Sequence, residues 1–219
     1  MVEPRRATTA LAVSLSVLAV AGCGGSKHGA AATTLDANGC IPVKAPAATS
    51  RSESKPTTKL DPARTYDVTF DTNCGSFTVR LAVRTSPNTT ASFANLVRKH
   101  FFDNTIFHRI VPGFVIQGGD PTQRGDGGPG YTTVDRPPAS TTYTHGLVAM
   151  AKTQVQPAGT SGSQFFVVTA KDARLPPDYA VLGRVVKGLP AVDKIGKLGD
   201  ANEQPTETVE IQHATLQTS

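Results

Sequence analysis

The chain has 219 residues, a formal net charge of +5 and a hydrophobic content of 38%. This length fits one domain or two small ones, and the hydrophobic content is enough for one core but excludes a membrane protein with many spans. Lys and Arg are dispersed along the chain, whereas a nucleic-acid-binding surface normally carries them in a clustered stripe, so we expect no nucleic-acid partner.

Residues 1–22 have the features of a secretory signal peptide: two arginines, then an apolar stretch at 11–20, then small residues. The apolar stretch has about half of the ~20 residues that a spanning helix needs, so it predicts no transmembrane helix. The sequence Val20-Ala21-Gly22-Cys23 resembles a bacterial lipobox, whose cysteine is acylated before cleavage. It predicts a lipoprotein anchored through Cys23 to the extracytoplasmic face of the cell membrane. An ordinary signal peptide with a chance cysteine is the alternative.

Residues 23–61 are rich in Ala, Thr, Ser, Gly, Pro and Lys and contain few large apolar residues. Such a composition buries too little surface to offset the entropy lost on ordering. We therefore expect the lipidated Cys23 to be followed by a flexible linker, and the folded domain to occupy residues 62–219.

Cys40 and Cys74 are the two cysteines that remain after Cys23. An exported protein lies in a compartment that permits disulfides, so a Cys40–Cys74 disulfide is one interpretation. Two free thiols are the other, because the sequence does not show whether the two residues approach each other. The disulfide would attach part of the linker to the domain and would take no part in chemistry.

Alternating apolar residues predict a β-hairpin at the start of the domain. Apolar side chains occupy every second position from Tyr66 to Phe70 and again from Phe77 to Leu81, on both sides of a turn that contains Gly75. A helix is predicted next, from Pro87 to about His100, because Ser86 suits the N-cap and Pro the first helical position.

Six short apolar runs follow, separated by turns rich in Gly and Pro: Ile106–Val111, Phe114–Gln117, Leu147–Ala151, Phe165–Thr169, Ala180–Val186 and Thr208–Ile211. Many short strands with long loops indicate a mainly β fold, and a closed antiparallel barrel rather than a layered α/β fold. A second, shorter helix is predicted at 189–198.

The stretch from Phe102 to Asp120 combines two polar groups with many apolar neighbours. It places the guanidinium of Arg109 and the amide of Gln117 among apolar side chains: Phe107, Phe114 and Val115. A core does not tolerate an unpaired arginine, and a solvated surface does not need so many aromatic residues. The composition is that of an apolar ligand pocket with a few placed polar groups. An arginine that extends from a strand end into solvent is the alternative.

The same stretch resembles the signature of the cyclophilins. Three shorter matches follow in that family's order: Gly146–Ala151, Gly162–Phe166 and, more weakly, Val181–Val185. The resemblance covers about residues 65–211. It implies a closed eight-stranded antiparallel β-barrel capped by two α-helices, with peptidyl-prolyl cis/trans isomerase activity on proline-containing unfolded or exported polypeptides.

By position, Arg109 matches the catalytic arginine of the family and Gln117 its assisting glutamine. Rotation about a peptide bond has a barrier of ~18–20 kcal/mol because the nitrogen lone pair is delocalised into the carbonyl group. A guanidinium that donates a hydrogen bond to the prolyl nitrogen prefers the twisted imide, whose lone pair is localised, over the planar one. This chemistry needs no covalent intermediate, cofactor or metal ion, and we expect none.

The resemblance also implies a set of substrate-binding residues. The proline ring would lie in a pocket of four apolar side chains: Phe114, Val115, Phe166 and Leu175. Ala151 and Gln164 would flank the peptide, and Tyr179 stands where the family usually has His. Phe107 and His108 belong to the signature, and we expect them to support substrate binding rather than to donate protons.

Two further patterns set limits on these expectations. Residues 125–130 satisfy the pattern G-x-G-x-x-G, but no helix is predicted to start there, so a flexible loop near the substrate groove is expected rather than a nucleotide site. Arg174 stands where many cyclophilins have a Trp that contributes to cyclosporin binding, so sensitivity to that drug is not implied.

A proline-peptide-binding module, or a holdase chaperone with little catalysis, is the alternative to an active isomerase. The presence of both Arg109 and Gln117 favours catalysis, because a pure binder needs only the apolar pocket. We expect the protein to be a monomer.

Overall fold

The computed structural model describes Met1 and residues 34–219, and its first strands form the predicted hairpin. β1 (Tyr66–Thr72) and β2 (Gly75–Leu81) pair in antiparallel register, with Thr72 opposite Gly75. Buried and half-buried residues alternate along β1, as the period-two pattern requires. Gly75 has φ +108°, a backbone conformation that favours glycine, and this explains its place in the turn.

Both predicted helices are confirmed, and each ends slightly before its expected boundary. α1 (Pro87–Arg98) stops before His100, whose φ of +55° lies outside the helical range. α2 (Leu189–Ile195) is followed by Gly196, which adds little to helical stability. Among the described residues, no helix is long and apolar enough to cross a membrane.

Nine further short strands complete the described part of the chain: β3 (Thr105–Ile106), β4 (Arg109–Val111), β5 (Val115–Gly118), β6 (Thr133–Val134), β7 (Leu147–Met150), β8 (Thr160–Ser161), β9 (Phe165–Val168), β10 (Val181–Lys187) and β11 (Glu210–Thr218). β6 and β8 were not predicted. β11 continues past the expected end at Ile211, because β1 offers it a pairing partner as far as Thr218.

Nine of the described strands form one large antiparallel sheet in the order β3-β11-β1-β2-β10-β7-β9-β5-β4. The other two, β6 and β8, form a separate antiparallel pair. The fold is therefore mainly β with two helices, as predicted. A closed eight-stranded barrel is not confirmed, because the hydrogen-bonded sheet has nine strands and two ends. These two ends, β3 and β4, are nevertheless separated along the chain only by Phe107 and His108.

Apolar side chains form two clusters, one on each face of the sheet. The larger cluster contains seven packed phenylalanine rings: Phe70, Phe77, Phe93, Phe101, Phe102, Phe107 and Phe165. The smaller cluster contains Val115 on β5, Ala149 on β7 and Phe166 on β9. Successive residues of a strand point to opposite faces, so Phe165 and Phe166 belong to different clusters. The outer face of these strands is thus apolar as well.

Residues 34–61, which we call the strap, contain no helix or strand but lie against the domain. The structure joins Cys40 to Cys74 in a disulfide, the pairing that the sequence left open. Beside it, the N–H of Ile41 donates to the carbonyl of Asn73 at 2.8 Å. This order differs from the predicted flexible linker, and the strap belongs to the same compact unit as the domain. The prediction rested on the small number of apolar residues that the segment could bury. It did not take into account a disulfide or backbone hydrogen bonds to the domain. Cys23 and the predicted signal peptide lie outside the described residues.

Reduction of the Cys40–Cys74 disulfide is expected to lower the free energy of unfolding by about 3–4 kcal/mol. The bond closes a loop between residues 34 positions apart, and opening it increases the entropy of the unfolded chain. Urea unfolding of the oxidised and reduced protein at one pH measures the difference. The double variant Cys40→Ser, Cys74→Ser is the control and should not respond to the reductant. An equal urea midpoint for the oxidised and reduced wild type would contradict the prediction.

Candidate active site

Arg109 is held at two points of its guanidinium group. It lies on β4 directly opposite Gln117 of β5, and its Nη1 donates to Oε1 of Gln117 at 3.3 Å. Its Nε donates to Oε2 of Glu203 at 2.6 Å. The Arg109 side chain is 32% exposed, and its remaining N–H groups donate to no residue in the described part of the chain. The group is therefore oriented by the protein while part of it stays available to a ligand.

Two glutamines extend this hydrogen bonding away from Arg109, and we call Gln117 and Gln164 the amide relay. Nε2 of Gln117 donates to Oε1 of Gln164 at 3.1 Å, and Nε2 of Gln164 donates to the carbonyl of Gly127 at 2.9 Å. Each amide uses its N–H₂ as donor, so its oxygen is directed back toward the preceding donor. The relay thus fixes the acceptor that Arg109 uses.

An apolar pocket lies on the same face of the sheet as Arg109. Arg109 is opposite Gln117, Gln117 is opposite Phe166, and Phe166 is opposite Ala149. Directly opposed residues of antiparallel strands point to the same face, so these side chains form one row across four strands. A charged donor and an aromatic surface therefore lie in one row.

The structure brings together all four residues predicted for the proline pocket, and Ala151 and Tyr179 lie beside them. They belong to the smaller apolar cluster: Phe114, Val115, Phe166, Leu175, Ala151 and Tyr179. The rings of Phe166 and Tyr179 meet edge to face with centroids 5.5 Å apart. Tyr143, which the sequence did not single out, donates its hydroxyl to the carbonyl of Tyr179 at 2.6 Å and fixes that wall.

Next to the amide relay lies a cavity of about 620 Å³. Ala151 and Gln164 line it, as do residues 125–132 on one side and Lys152, Thr153 and Gln156 on the other. The predicted loop at 125–130 is therefore beside the site, as expected. The cavity has room for the residues of a peptide that flank a bound proline.

Lys152 braces the wall of this cavity with an almost completely buried side chain, 3% exposed. Its Nζ pairs with the carboxylate of Asp178 at 2.5 Å and lies 5.5 Å from the centroid of the Tyr179 ring. A buried charge must be paired to be tolerated. Lys152 therefore links the loop after β7 to the segment that carries Tyr179.

Phe107 and His108 do not lie with the other predicted substrate-binding residues. Phe107 is fully buried in the larger cluster, where its ring packs against those of Phe77 and Phe165. Its assignment to substrate binding is therefore wrong, because it lies on the inner face of the sheet.

His108 is 9% exposed, and neither of its ring nitrogens has a partner among the described residues. Burial lowers the pKa of His108 below its ordinary value. The Asp120 carboxylate acts in the opposite direction, and Arg109 acts in the same direction as burial. A neutral imidazole in this position does not serve as a proton donor, which agrees with the expected supporting role.

Glu203 is a further site residue that the sequence did not reveal. It lies 94 residues from Arg109, in the loop before β11, and has φ +64°. Its backbone carbonyl also accepts from the N–H of Ile110 at 3.0 Å, which places the loop against β4. No local pattern marks such a residue, because only the pairing of distant segments brings it to the arginine.

The comparisons with known proteins cover the same region of the chain. Residues 67–216 match the family model described as "Cyclophilin type peptidyl-prolyl cis-trans isomerase/CLD". The chain is similar to the peptidyl-prolyl cis-trans isomerase-like 1 of Emericella nidulans, with 38% identity over 155 residues, which are 68% of this chain and 94% of the relative. It is also similar to the probable peptidyl-prolyl cis-trans isomerase A of Mycobacterium bovis, with 33% identity over 174 residues, 71% of this chain and 94% of the relative.

Among solved structures, the chain is similar to a cyclophilin type peptidyl-prolyl cis-trans isomerase of Cryptosporidium parvum. The TM-score is 0.65 at 28% identity, over 70% of this chain and 98% of that one. A second structure of that protein, obtained in the presence of the dipeptide Ala-Pro, gives a TM-score of 0.64 at 29% identity, over 69% of this chain and 98% of that one.

The stability of the protein is expected to fall as the pH drops below the ordinary histidine pKa of about 6.5, because of His108. In that range the unfolded chain takes up a proton at this residue, whereas the buried imidazole, with its lowered pKa, takes it up only at lower pH. The unfolded state then binds more protons, so the free energy of unfolding decreases. Urea unfolding between pH 5 and 7 measures this slope.

His108→Gln is expected to flatten the slope, whatever its effect on absolute stability. His213→Gln is the control, because that side chain is 68% exposed on β11. If the wild type and His108→Gln show the same pH dependence, His108 is not the group responsible.

Proposed function

The chain belongs to the cyclophilin-type peptidyl-prolyl cis-trans isomerase family, and on that premise we propose how its outer-face site performs the isomerisation. The observation behind this proposal is the row that contains Arg109, Gln117 and Phe166. It provides a fixed hydrogen-bond donor at one end and an apolar surface for the proline ring at the other. An X-Pro segment would lie across the row, with its prolyl nitrogen beside the guanidinium.

Catalysis then follows from a difference in binding between the planar and the twisted imide. The planar nitrogen is a poor hydrogen-bond acceptor, and the twisted nitrogen is a good one, so Arg109 stabilises the transition state more than the substrate. A hydrogen bond from a charged donor contributes roughly 1.5–3 kcal/mol, which corresponds to about one to two orders of magnitude in rate. Glu203 and Gln117 hold the guanidinium in place beforehand, so little reorganisation is needed when the lone pair develops.

The rest of the rate enhancement is assigned to the pocket. Phe166 and Val115 form the almost fully buried base of the pocket, and the half-buried Phe114 and Leu175 offer the pyrrolidine ring an apolar surface. When the proline ring is held in the pocket, rotation about the X-Pro bond moves the carbonyl group of the residue before proline. Transfer of the polar planar imide into this apolar environment also disfavours the ground state.

Arg109→Ala is expected to lower kcat/KM for an Ala-Pro peptide at least tenfold without loss of the fold, because it removes the donor to the prolyl nitrogen. A protease-coupled assay measures the rate. Arg80→Ala is the matched control, since Arg80 is also a strand arginine whose Nε pairs with a carboxylate, that of Asp67 at 3.0 Å. Equal turnover by Arg109→Ala and the wild type would remove Arg109 from this role. Peptide binding without turnover in the wild type would favour the binding module or holdase.

We propose proline-containing unfolded and exported polypeptides as the substrates. The relative from Cryptosporidium parvum was studied in the presence of Ala-Pro, which supports recognition of a prolyl dipeptide unit. We propose a monomer as the active unit. We also interpret β3 and β4 as a single bent strand, which would turn the sheet into an eight-stranded barrel closed through residues 107 and 108.

We propose further that the enzyme is an exported lipoprotein on the extracytoplasmic face of the cell membrane. The signal-like residues 1–22 and the lipobox-like sequence that ends at Cys23 support this location. The Cys40–Cys74 disulfide agrees with an oxidising compartment. Several acyl chains on Cys23 would hold the domain on the bilayer, at ~0.8 kcal/mol for each buried methylene group.

Cys23→Ala is expected to move the full-length protein from the membrane fraction to the soluble fraction of a bacterial host, because the acyl acceptor is lost. Fractionation and the mass of the N-terminal peptide measure the change. Ser26→Ala is the control and should remain with the membrane. A wild-type protein that is soluble and unmodified at Cys23 would show an ordinary signal peptide instead.

A further inference from the structure

Residues 120–132, which we call the glycine-rich loop, form the wall of the cavity beside the amide relay. The carbonyl of Gly127 accepts from Gln164, so the relay ends on this loop. The loop contains no helix or strand. Its shape therefore depends on hydrogen bonds from outside its own backbone.

One set of these bonds comes from inside the fold, at the fully buried side chain of Asp120. The carboxylate accepts from the backbone N–H groups of Thr122 at 2.7 Å, Gly125 at 2.7 Å and Gly127 at 3.1 Å. Burial acts to raise the pKa of Asp120, but these hydrogen bonds outweigh it and keep the pKa below its ordinary value. The inner side of the loop is therefore held by an ionised carboxylate.

The other set comes from the strap, on the opposite side of the loop. The backbone N–H of Thr49 donates to the carbonyl of Pro121, and that of Glu53 to the carbonyl of Pro129, both at 2.9 Å. Two side-chain bonds lie on either side of these: Gln123 Nε2 to the carbonyl of Pro46 at 2.8 Å, and Lys55 Nζ to the carbonyl of Thr132 at 3.0 Å. The strap thus follows the loop along almost its whole length.

The strap is itself fixed at separate places, so it can act as a rigid support. The disulfide attaches it at Cys40. Farther along, Nη1 of Arg51 donates to the carbonyl of Phe101 at 2.6 Å, just beyond the end of α1. The Arg51 guanidinium is partly buried against the domain, and this burial lowers its pKa. Both anchors lie outside the glycine-rich loop.

A continuous path of hydrogen bonds therefore leads from the strap to the catalytic arginine. The strap holds the glycine-rich loop, and Gly127 of that loop holds Gln164. Gln164 binds Gln117, which in turn accepts from Arg109. The strap precedes residues 67–216 and so lies outside the part of the chain that the family model matches.

We propose that the strap is a positioning element of this isomerase that sets its selectivity for the residues flanking the X-Pro bond. It does so by holding the glycine-rich loop, which lines the cavity and fixes the end of the amide relay. This inference rests on the proposed function of the Arg109 site. Without the strap, the loop would sample other conformations, and peptides that fill the cavity would lose more affinity than a short Ala-Pro peptide.

The double variant Thr49→Pro, Glu53→Pro tests this, because proline has no backbone N–H and removes both strap donors. The matched control is Ser50→Pro, Ser54→Pro, whose backbone N–H groups donate to no acceptor among residues 34–219. Both variants place two prolines in the same stretch of the strap and keep every residue of the catalytic site. Thermal unfolding checks that both are folded.

The measurement is kcat/KM for a panel of peptides varied on both sides of X-Pro, each compared with a short Ala-Pro peptide. The test variant is expected to discriminate among the peptides about three- to tenfold less than the wild type, mainly through KM. This change corresponds to about 0.6–1.4 kcal/mol, a part of what two hydrogen bonds contribute. The control is expected to keep the wild-type discrimination. Equal discrimination in the test variant and the wild type, or equal losses in test and control, would overturn the proposal.

Failure of the catalytic assignment would give a different result. In that case Arg109→Ala would leave turnover of the whole panel unchanged, whereas the strap variants would still differ in peptide affinity. Binding of the panel to each strap variant in an Arg109→Ala background separates the two outcomes. If those affinities do not differ between test and control, the strap has no role in selectivity.

Discussion

The alternation of side chains along β5 and β9 is the constraint on which the site depends. Phe165 points into the larger apolar cluster, and its neighbour Phe166 points outward into the smaller one. An antiparallel strand with one solvated face normally carries polar side chains on that face. In β9, by contrast, both Phe165 on the inner face and Phe166 on the outer face are aromatic. The inner face stabilises the fold, and the outer face is left to bind a ligand. One four-residue strand thus serves both purposes.

The arginine in this apolar row is tolerated because it is paired before any substrate arrives. Glu203 and Gln117 take two of its donors, so the group is neither an unpaired charge in the core nor a mobile side chain in solvent. Prolyl isomerisation requires no proton transfer, and the neutral, buried His108 beside Arg109 agrees with that. The site is therefore suited to catalysis by one fixed positive charge, that of Arg109, rather than to general acid–base catalysis by a pair of titrating groups.

The local patterns of the sequence predicted most of the fold, and the long-range pairings account for what they missed. The hairpin from Tyr66 to Leu81 and both helices follow from periodicity and from the proline at the start of α1. The sequence resemblance assigned the proline pocket, and the structure gathers those residues in one cluster. Glu203 was not predicted, since its role depends on how a distant loop packs. Phe107 was misassigned, because a signature motif does not show which face of the sheet each residue occupies.

The sequence predicts a flexible linker where the strap lies, and it does not explain the glycine pattern at residues 125–130. Both features depend on backbone contacts with distant segments. A Cβ at Gly127 would collide with the Asp120 carboxylate, and a Cβ at Gly130 would lie 2.8 Å from Oγ of Ser52 in the strap. These glycines thus allow the backbone to approach a carboxylate on one side and the strap on the other, which explains a G-x-G-x-x-G pattern at a place with no helix. Glycine loses more conformational entropy on ordering than any other residue, so a loop rich in it needs support from both sides to keep one shape. The same absence of side chains that lets the strap come close therefore makes the loop dependent on it.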